Sequence, residues 1–182
     1  MFLPSNYKAP SGNYFKFRDG ENTFRILSSA IVGYEYWTTD NKPIRSKELF
    51  RETPDIKLDK EEKPTKVKHF WSFIIYNQDT NTIQVMEITQ SGIQKAIEAL
   101  VNNKKWGDPK NYDITISKSG SGLETEYSVM SNPHTPLDKT IKAEFEDKGI
   151  NLNALYEGGD PFEKQEKKMS IDDIPDYLET KK

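Results

Sequence analysis

The sequence predicts a mostly β fold: a small barrel of five strands with one helix between the third and fourth strands. Three observations support this prediction. Short segments alternate apolar or aromatic residues with polar ones, a single segment has a helical period, and glycine-, proline- or asparagine-containing turns separate the segments. Of the 182 residues, 34% are hydrophobic and 12% aromatic. This content suits one core built largely from big flat side chains.

Three strands are predicted in the first half of the chain. Residues 21–37 are rich in β-branched and aromatic side chains, which predicts one long strand bent near the serines at 28–29. Residues 67–77 and 82–89 predict a hairpin, because only a short polar turn separates them. Residues 38–66 contain three prolines and mixed charge, so we expect a long inserted loop that acts as a flap.

The second half of the chain changes period and then returns to strands. Residues 91–103 place their apolar side chains on one helical face, which predicts an amphipathic helix. Two further strands are predicted at 112–118 and 123–130, on either side of a Gly-Ser-Gly turn. Three strands, a helix and two strands follow the order of the OB-fold, whose exposed strands and loops bind oligonucleotides and oligosaccharides.

The predicted organisation has three parts. Residues 1–133 form the barrel domain, including the flap at 38–66. Residues 134–160 form a short helix and a linker, and residues 161–182 form an acidic tail. Charge supports this division, because residues 1–142 hold 20 Lys and Arg against 18 Asp and Glu, whereas the last 40 residues hold 6 against 11. An acidic end on a mildly basic body is typical of an interaction tail.

Several functional classes are disfavoured by composition. The chain has no cysteine and two histidines, so we predict no disulfide, no metal site and no cofactor. No segment approaches the 18 apolar residues of a membrane span, and no leader is recognised, which predicts a protein of the cytoplasm. Hydrolase and zinc-protease motifs are absent, and we predict no enzyme. A nuclease with magnesium held by two distant aspartates stays open as an alternative.

Two segments, NYFKFRDGENTFRILSSAIVGYEYW and KWGDPKNYDITISKSGSGLETEYSV, together with the acidic end, resemble the single-stranded-DNA-binding proteins of tailed bacteriophages. The resemblance covers roughly residues 5–133. It implies an OB-fold that coats single-stranded DNA during phage replication or recombination in the cytoplasm of the bacterial host. Some members of that group hold a structural zinc with Cys and His; this chain has no cysteine, so the metal is not carried over.

Sequence-tolerant binding of single strands needs a basic groove and aromatic faces on which bases stack. Alternation along residues 67–76 places Lys68, Phe70 and Tyr76 on one face and Trp71 on the other. The Trp71 face is the better core candidate, and which face meets DNA stays open. The predicted DNA-binding residues are Trp37, Arg51, Lys66, Lys68, Phe70, Trp71, Tyr76 and Lys118.

The remaining members of that set come from strand ends and loops. Trp37 stands at the end of the first strand and is the preferred stacking residue. Arg51 and Lys66 lie in the inserted loop, which leaves and rejoins the sheet beside the predicted groove. Lys118 precedes a glycine-rich turn where backbone N–H groups can approach phosphates, although an ordinary hairpin turn is the favoured explanation of the glycines.

The acidic tail contains a predicted partner-binding peptide: Asp172, Asp173, Ile174, Pro175, Asp176 and Tyr177. It resembles the terminal peptide of bacterial single-strand-binding proteins, but Asp176 stands where the aromatic residue would be. Replication or recombination proteins are the expected partners, and competition of the tail with DNA for the groove is a second expectation. The alternative function is a protein- or carbohydrate-interaction module on the same barrel. Self-association is left open.

Overall fold

The computed structural model describes residues 12–164, which form an antiparallel sheet with helices packed against it. Three short 3₁₀ turns accompany the regular elements in this described part of the chain, at Pro109–Asn111, Gly122–Glu124 and Leu152–Glu157. Within the described residues the elements are β1 (Gly20–Ile26), β2 (Ile31–Trp37), β3 (Pro43–Ser46), β4 (Lys68–Asn77), β5 (Thr82–Ile88), α1 (Ser91–Asn102), β6 (Tyr112–Ser119), β7 (Glu126–His134) and α2 (Lys139–Lys148).

The predicted long first strand is present but interrupted, as β1 and β2. Both pair antiparallel with β4, with Ile26 opposite Ile75 and Ile31 opposite Ser72. Between these two pairs the first strand has four residues and β4 has two. The extra residues bend the first strand as a bulge does. At the bend the Ile74 N–H donates to the Ser28 hydroxyl at 2.9 Å, so the serine replaces a missing ladder partner.

The inserted segment at 38–66 is more regular than the loop that its prolines predict. Its residues Pro43–Ser46 form β3, a short edge strand on β2. Further along, the Lys57 N–H donates to the Trp37 carbonyl at 2.7 Å, and the Thr65 N–H donates to the Lys57 carbonyl at 2.9 Å. These backbone bonds hold the two arms of the segment against the end of β2.

Sheet order confirms the predicted mostly β class and is consistent with the OB-fold. The strands lie in the order β3-β2-β4-β1-β6-β7, and β5 pairs along the other edge of β4. The described residues hold seven strands rather than the five predicted, because the bend divides the first strand and β3 adds another. Among residues 12–164 no strand pairing closes the sheet between β5 and β7, and α1 packs against β7 instead.

The inner core lies between the curved sheet and α1. Helix α1 contributes Ile93 and Ile97 from one face, as its helical period predicts. The strands contribute mainly large apolar side chains: Phe24, Ile26, Phe73, Ile75, Met86, Ile88, Tyr112, Ile114 and Ile116. Burial of these groups is the main source of the fold's stability.

A second core lies on the outer face of β4 and β5, where residues 137–162 pack. The short helix predicted within residues 134–160 corresponds to α2, and the predicted linker after it is packed against the sheet, with Leu152 and Leu155 buried. They contact a cluster that includes Ile74 and Val85 of the sheet. Consequently β4 is buried on both faces from Ser72 to Asn77, not on one. Neither α-helix within residues 12–164 is long and apolar enough for a membrane span.

Candidate nucleic-acid interface

An open groove of about 840 Å³ lies where the end of β2 meets the inserted segment and the β6–β7 hairpin. Two loops form its sides, one from residues 57–66 and one that carries Leu123. In an OB-fold the loops at these positions flank the oligonucleotide-binding surface. The groove is lined by Glu35, Trp37, Lys57, Asp59, Pro64, Thr65, Lys66, Lys68 and Leu123.

Trp37 supplies the aromatic surface of this groove. It is the last residue of β2 and 41% exposed. Its backbone pairs with Pro43 of β3 on one side and accepts the Lys57 N–H on the other. The main chain at Trp37 is thus fixed from both sides, which places the indole in the lining of the groove.

The charged groups of the groove favour an anion. Lys57, Lys66 and Lys68 are exposed. The Lys57 ammonium donates to the side-chain oxygen of Asn41 at 2.6 Å. Because this amide is neutral, the contact does not cancel the positive charge of the lysine. Two acids also line the groove. Glu35 is buried and paired with Arg45 at 3.2 Å.

The second acid, Asp59, is used within its own loop. Its Oδ1 accepts the N–H groups of Glu61 and Lys63 at 2.8 and 3.0 Å. These bonds close the turn at the tip of residues 57–66 and spread part of the carboxylate charge over the backbone. Three lysines against one exposed acid leave the groove positive, which is the electrostatic requirement for holding a phosphate backbone.

Leu123 forms the opposite side of the groove and is fully exposed. The turn that carries it depends on Gly120, which has φ 74° and whose hypothetical Cβ would lie 2.1 Å from the Glu124 carbonyl oxygen. Only glycine fits there. The glycines thus serve the hairpin turn, and the leucine that the turn exposes was not among the residues singled out from sequence.

The structure brings three of the predicted DNA-binding residues together: Trp37, Lys66 and Lys68. Two other predicted cations lie elsewhere. Arg51 is exposed on the inserted segment but does not line the groove. Lys118 pairs with Asp19 at 3.1 Å, and its side chain is 25% exposed. Lys57 lines the groove and was missed, because the mixed charge of residues 38–66 marks no single lysine.

The three predicted aromatic residues of β4 are placed away from the groove. Phe70 has no exposed surface, with Arg45 above its ring at 5.8 Å and the Tyr156 ring 6.2 Å away. Tyr76 is buried in the outer core. Trp71 is half-buried on the inner side and lines a different hollow, beneath α1. Phe70 and Tyr76 therefore have no free ring face for a base, because residues 137–162 cover that side of the sheet.

The remaining sequence predictions concern the tail and metals. The peptide Asp172–Tyr177 lies outside the described residues. Within residues 12–164 no three His, Asp or Glu side chains are grouped closely enough to hold a metal ion. Both histidines make structural contacts: His69 Nδ1 pairs with the Gly33 carbonyl at 2.7 Å, and His134 Nε2 pairs with the Trp106 carbonyl at 3.0 Å.

Comparison with known proteins identifies one relative of interest. The chain is 29% identical, over 138 residues, to a protein of Escherichia phage T5 described as a probable ssDNA-binding protein. The match covers 64% of this chain and 53% of the relative, so the chain spans about half of that protein's length. No protein-family model matches, and no solved structure matches significantly. The comparison confirms the resemblance that the sequence motifs indicate: this chain is similar to the single-stranded-DNA-binding proteins of tailed bacteriophages.

Proposed function

We propose that this protein binds single-stranded DNA, without strong sequence preference and without catalysing a reaction, in the groove between residues 57–66 and the β6–β7 hairpin. The observation that carries the proposal is the exposed indole of Trp37 among three exposed lysines in one groove. An aromatic face and a basic track are the two requirements for sequence-tolerant binding of single strands. The similarity to the phage T5 protein supports the same function.

In this proposal each group has a distinct task. Lys57, Lys66 and Lys68 hold successive phosphates, and a base stacks on Trp37. Leu123 covers the far side of the base with apolar surface. Stacking accepts any base because all bases have a π-face, so this arrangement predicts weak sequence preference. Duplex DNA keeps its bases paired and stacked, and we expect it to bind more weakly.

Titration with a thymidine oligonucleotide tests the proposal, with tryptophan fluorescence and gel shift as parallel measurements at two salt concentrations. Quenching that saturates on the single strand, is weaker on duplex and decreases with salt is the expected result. Trp37→Phe should remove most of the quenching, because Trp71 and Trp106 are partly buried away from the groove. Neither quenching nor a gel shift with the native chain would reject DNA binding and favour a protein- or carbohydrate-interaction module.

The biological setting is a further part of the proposal. A protein that coats single-stranded DNA serves phage replication or recombination in the host cytoplasm, and its acidic tail recruits the enzymes of those processes. The support is the peptide from Asp172 to Tyr177, in which acids alternate with apolar anchors around a proline. A synthetic peptide of residues 165–182 should compete with the full chain for such a partner. No competition would remove the recruiting role.

A truncation after Lys164 separates the tail from the fold. This end point keeps Pro161, whose buried ring and whose carbonyl bond to the Asn151 N–H belong to the packed segment. If the acidic tail competes with DNA for the groove, the truncated chain should bind a thymidine oligonucleotide more tightly at low salt and similarly at high salt. Unchanged or weaker binding at low salt would exclude this competition.

A further inference from the structure

A second hollow, of about 650 Å³, shares Trp37 with the DNA groove. Its walls come from β3, from the chain before β1 and from the 3₁₀ turn that covers the sheet. It is lined by Tyr14, Trp37, Lys42, Pro43, Ile44, Arg45, Glu87, Leu155, Gly158 and Gly159. Trp37 is thus a wall common to this hollow and to the groove.

Tyr14 supplies a second exposed aromatic ring in this hollow. Its side chain is 45% exposed, and the ring edge contacts Phe162 with centroids 6.3 Å apart. The backbone around Tyr14 is tied to β5, since the Phe15 N–H donates to the Val85 carbonyl at 2.9 Å and the Val85 N–H to the Asn13 carbonyl at 2.8 Å. An exposed ring on an anchored backbone is suited to stacking, as at Trp37.

The bottom of the hollow is polar and charged. Arg45 donates to Glu87 at 2.9 Å and pairs with the buried Glu35 at 3.2 Å. Burial, and then the contact with Glu35, raises the pKa of Glu87 to about 8. Arg45 and Glu87 thus hold this part of the hollow together through their own pairing, and Tyr14 and Lys42 are left to contact a ligand.

The path of a strand leaving the groove is restricted by residues 137–162. In an OB-fold the strand 2 and 3 face binds oligonucleotides, and the corresponding strands here, β4 and β5, are covered on their outer side by Leu152 and Leu155. A single strand that passes Trp37 therefore cannot continue onto that face. The second hollow is open space that also adjoins Trp37.

We propose that this hollow is a second nucleotide-binding site, in which a base of the same single strand stacks on Tyr14 and its phosphate contacts Lys42. The inference rests on the proposed function, because it extends the DNA path beyond the groove. A volume of about 650 Å³ lies within the range typical of small-ligand pockets. The side chain of Lys42 is exposed at the rim, where a phosphate that remains in solvent can reach it.

The length dependence of binding tests this inference. Thymidine oligonucleotides of about 4 and about 16 nucleotides span the site sizes of an OB-fold; the short one fills the groove and the long one reaches both sites. Tyr14→Leu should weaken the long oligonucleotide about 5-fold or more, from the loss of one stacked base, and leave the short one unchanged. Lys42→Ala should act in the same direction with a smaller effect.

Controls separate this inference from the proposed function. Lys95→Ala removes an exposed lysine of α1, away from both sites, and should change neither affinity. Because Tyr14 packs on Phe162, its variant is checked by thermal unfolding, whereas Lys42→Ala removes only an exposed side chain. Native protein that binds neither oligonucleotide would overturn the proposed function. Binding of both lengths unchanged by Tyr14→Leu and by Lys42→Ala would overturn the second site alone.

Photocrosslinking gives an independent result. An oligonucleotide carrying 5-iodouracil at successive positions should crosslink to Trp37 from one position and to Tyr14 from a neighbouring one. Adjacent positions are expected because one strand passes from the groove to the second hollow around a single tryptophan. Crosslinks to Trp37 without any to Tyr14, from every position tested, would show that the strand leaves the groove in another direction.

Discussion

Trp37 and Phe70 lie on neighbouring paired strands, yet the first is 41% exposed and the second has no exposed surface. Both are aromatic, and a cationic side chain lies near each: Lys68 shares the groove with Trp37, and Arg45 lies over the Phe70 ring. What separates them is residues 137–162, which cover the outer face of β4 and leave the end of β2 open. An aromatic residue beside a cation therefore indicates a binding surface only where no distant segment packs over it.

The cations of the two regions differ in the same way. Lys68 is exposed, with solvent on the groove side. Arg45 is enclosed, bridges Glu35 and Glu87, and has 10% of its side chain exposed. Its guanidinium is held by Glu35 and Glu87, so it contributes to the structure of the covered face and is not available to a phosphate outside it. Each of the following predictions tests whether the covered face is structural and the groove functional.

The largest expected effect is on the stability of the covered face. Phe70→Ala should lower the free energy of unfolding by about 3–5 kcal/mol, the range for truncation of a fully buried aromatic residue. Trp37→Ala should cost much less, because its side chain is half exposed. Urea unfolding of both variants measures the difference. A Phe70→Ala chain of native stability that no longer binds DNA would reverse the assignment of the two residues.

The pH dependence of stability should also arise on the covered side. The pKa of Glu87 rises from its ordinary value of 4.5 to about 8 on folding, mainly through burial and then through Glu35, while Arg45 opposes the rise. Between these pH values the folded chain binds the extra proton. The free energy of unfolding should therefore fall as pH rises through this window, by at most roughly 1.4 kcal/mol per pH unit.

Urea unfolding between pH 5 and about 8 measures this effect. Glu87→Gln should flatten the dependence, because a neutral amide replaces the group that loses its proton. Glu98→Gln, at an exposed position of α1, is the matched control and should leave the slope unchanged. An equal slope in the native chain and in Glu87→Gln would assign the dependence to another group.

Much of the fold could be predicted from local pattern. The bend at Ser28 and Ser29, the helix at 91–102 and the hairpin of β4 and β5 all follow from periodicity and turn residues, which act over a few positions. Short-range pattern does not specify β3, because a four-residue strand that begins with proline resembles a loop. Its partner β2 decides its conformation, and that partner is known only from the structure.

Part of the candidate groove was also predictable from the order of residues along the chain. Trp37, Lys66 and Lys68 lie at the junctions between strands and the long insertion, where sequence order already places them near one end of the barrel. Phe70 and Tyr76 were predicted on the correct assumption that they share a face of β4. Whether this face is open depends on Leu152 and Leu155, about 80 residues away, whose segment has low apolar content and was expected to be a linker.

In DNA binding, Trp37→Ala should have the largest effect of any single groove substitution. Loss of one base–aromatic stack costs about 1–3 kcal/mol, so affinity for a thymidine oligonucleotide should fall roughly 5- to 100-fold. Trp71→Phe is the matched control, because Trp71 lines the hollow beneath α1 and not the groove. Equal losses for the two tryptophan variants would indicate that the strand contacts both ends of the barrel.

The smallest expected effect is on the salt dependence of binding. Each phosphate contact on a single strand contributes about −0.7 to the slope of log affinity against log salt. Lys57→Ala, Lys66→Ala and Lys68→Ala should each make the slope less steep by about that amount, uniformly across DNA sequences.

Lys118→Ala separates a phosphate contact from the mere presence of a lysine nearby. Lys118 pairs with Asp19 and does not line the groove, so its replacement should change the slope less than that of any of the three groove lysines. Slopes measured by fluorescence titration over several salt concentrations give the comparison. If Lys118→Ala reduced the slope as much as Lys66→Ala does, the strand would have to run along β6 beyond the hairpin turn, and the groove would be only part of its path.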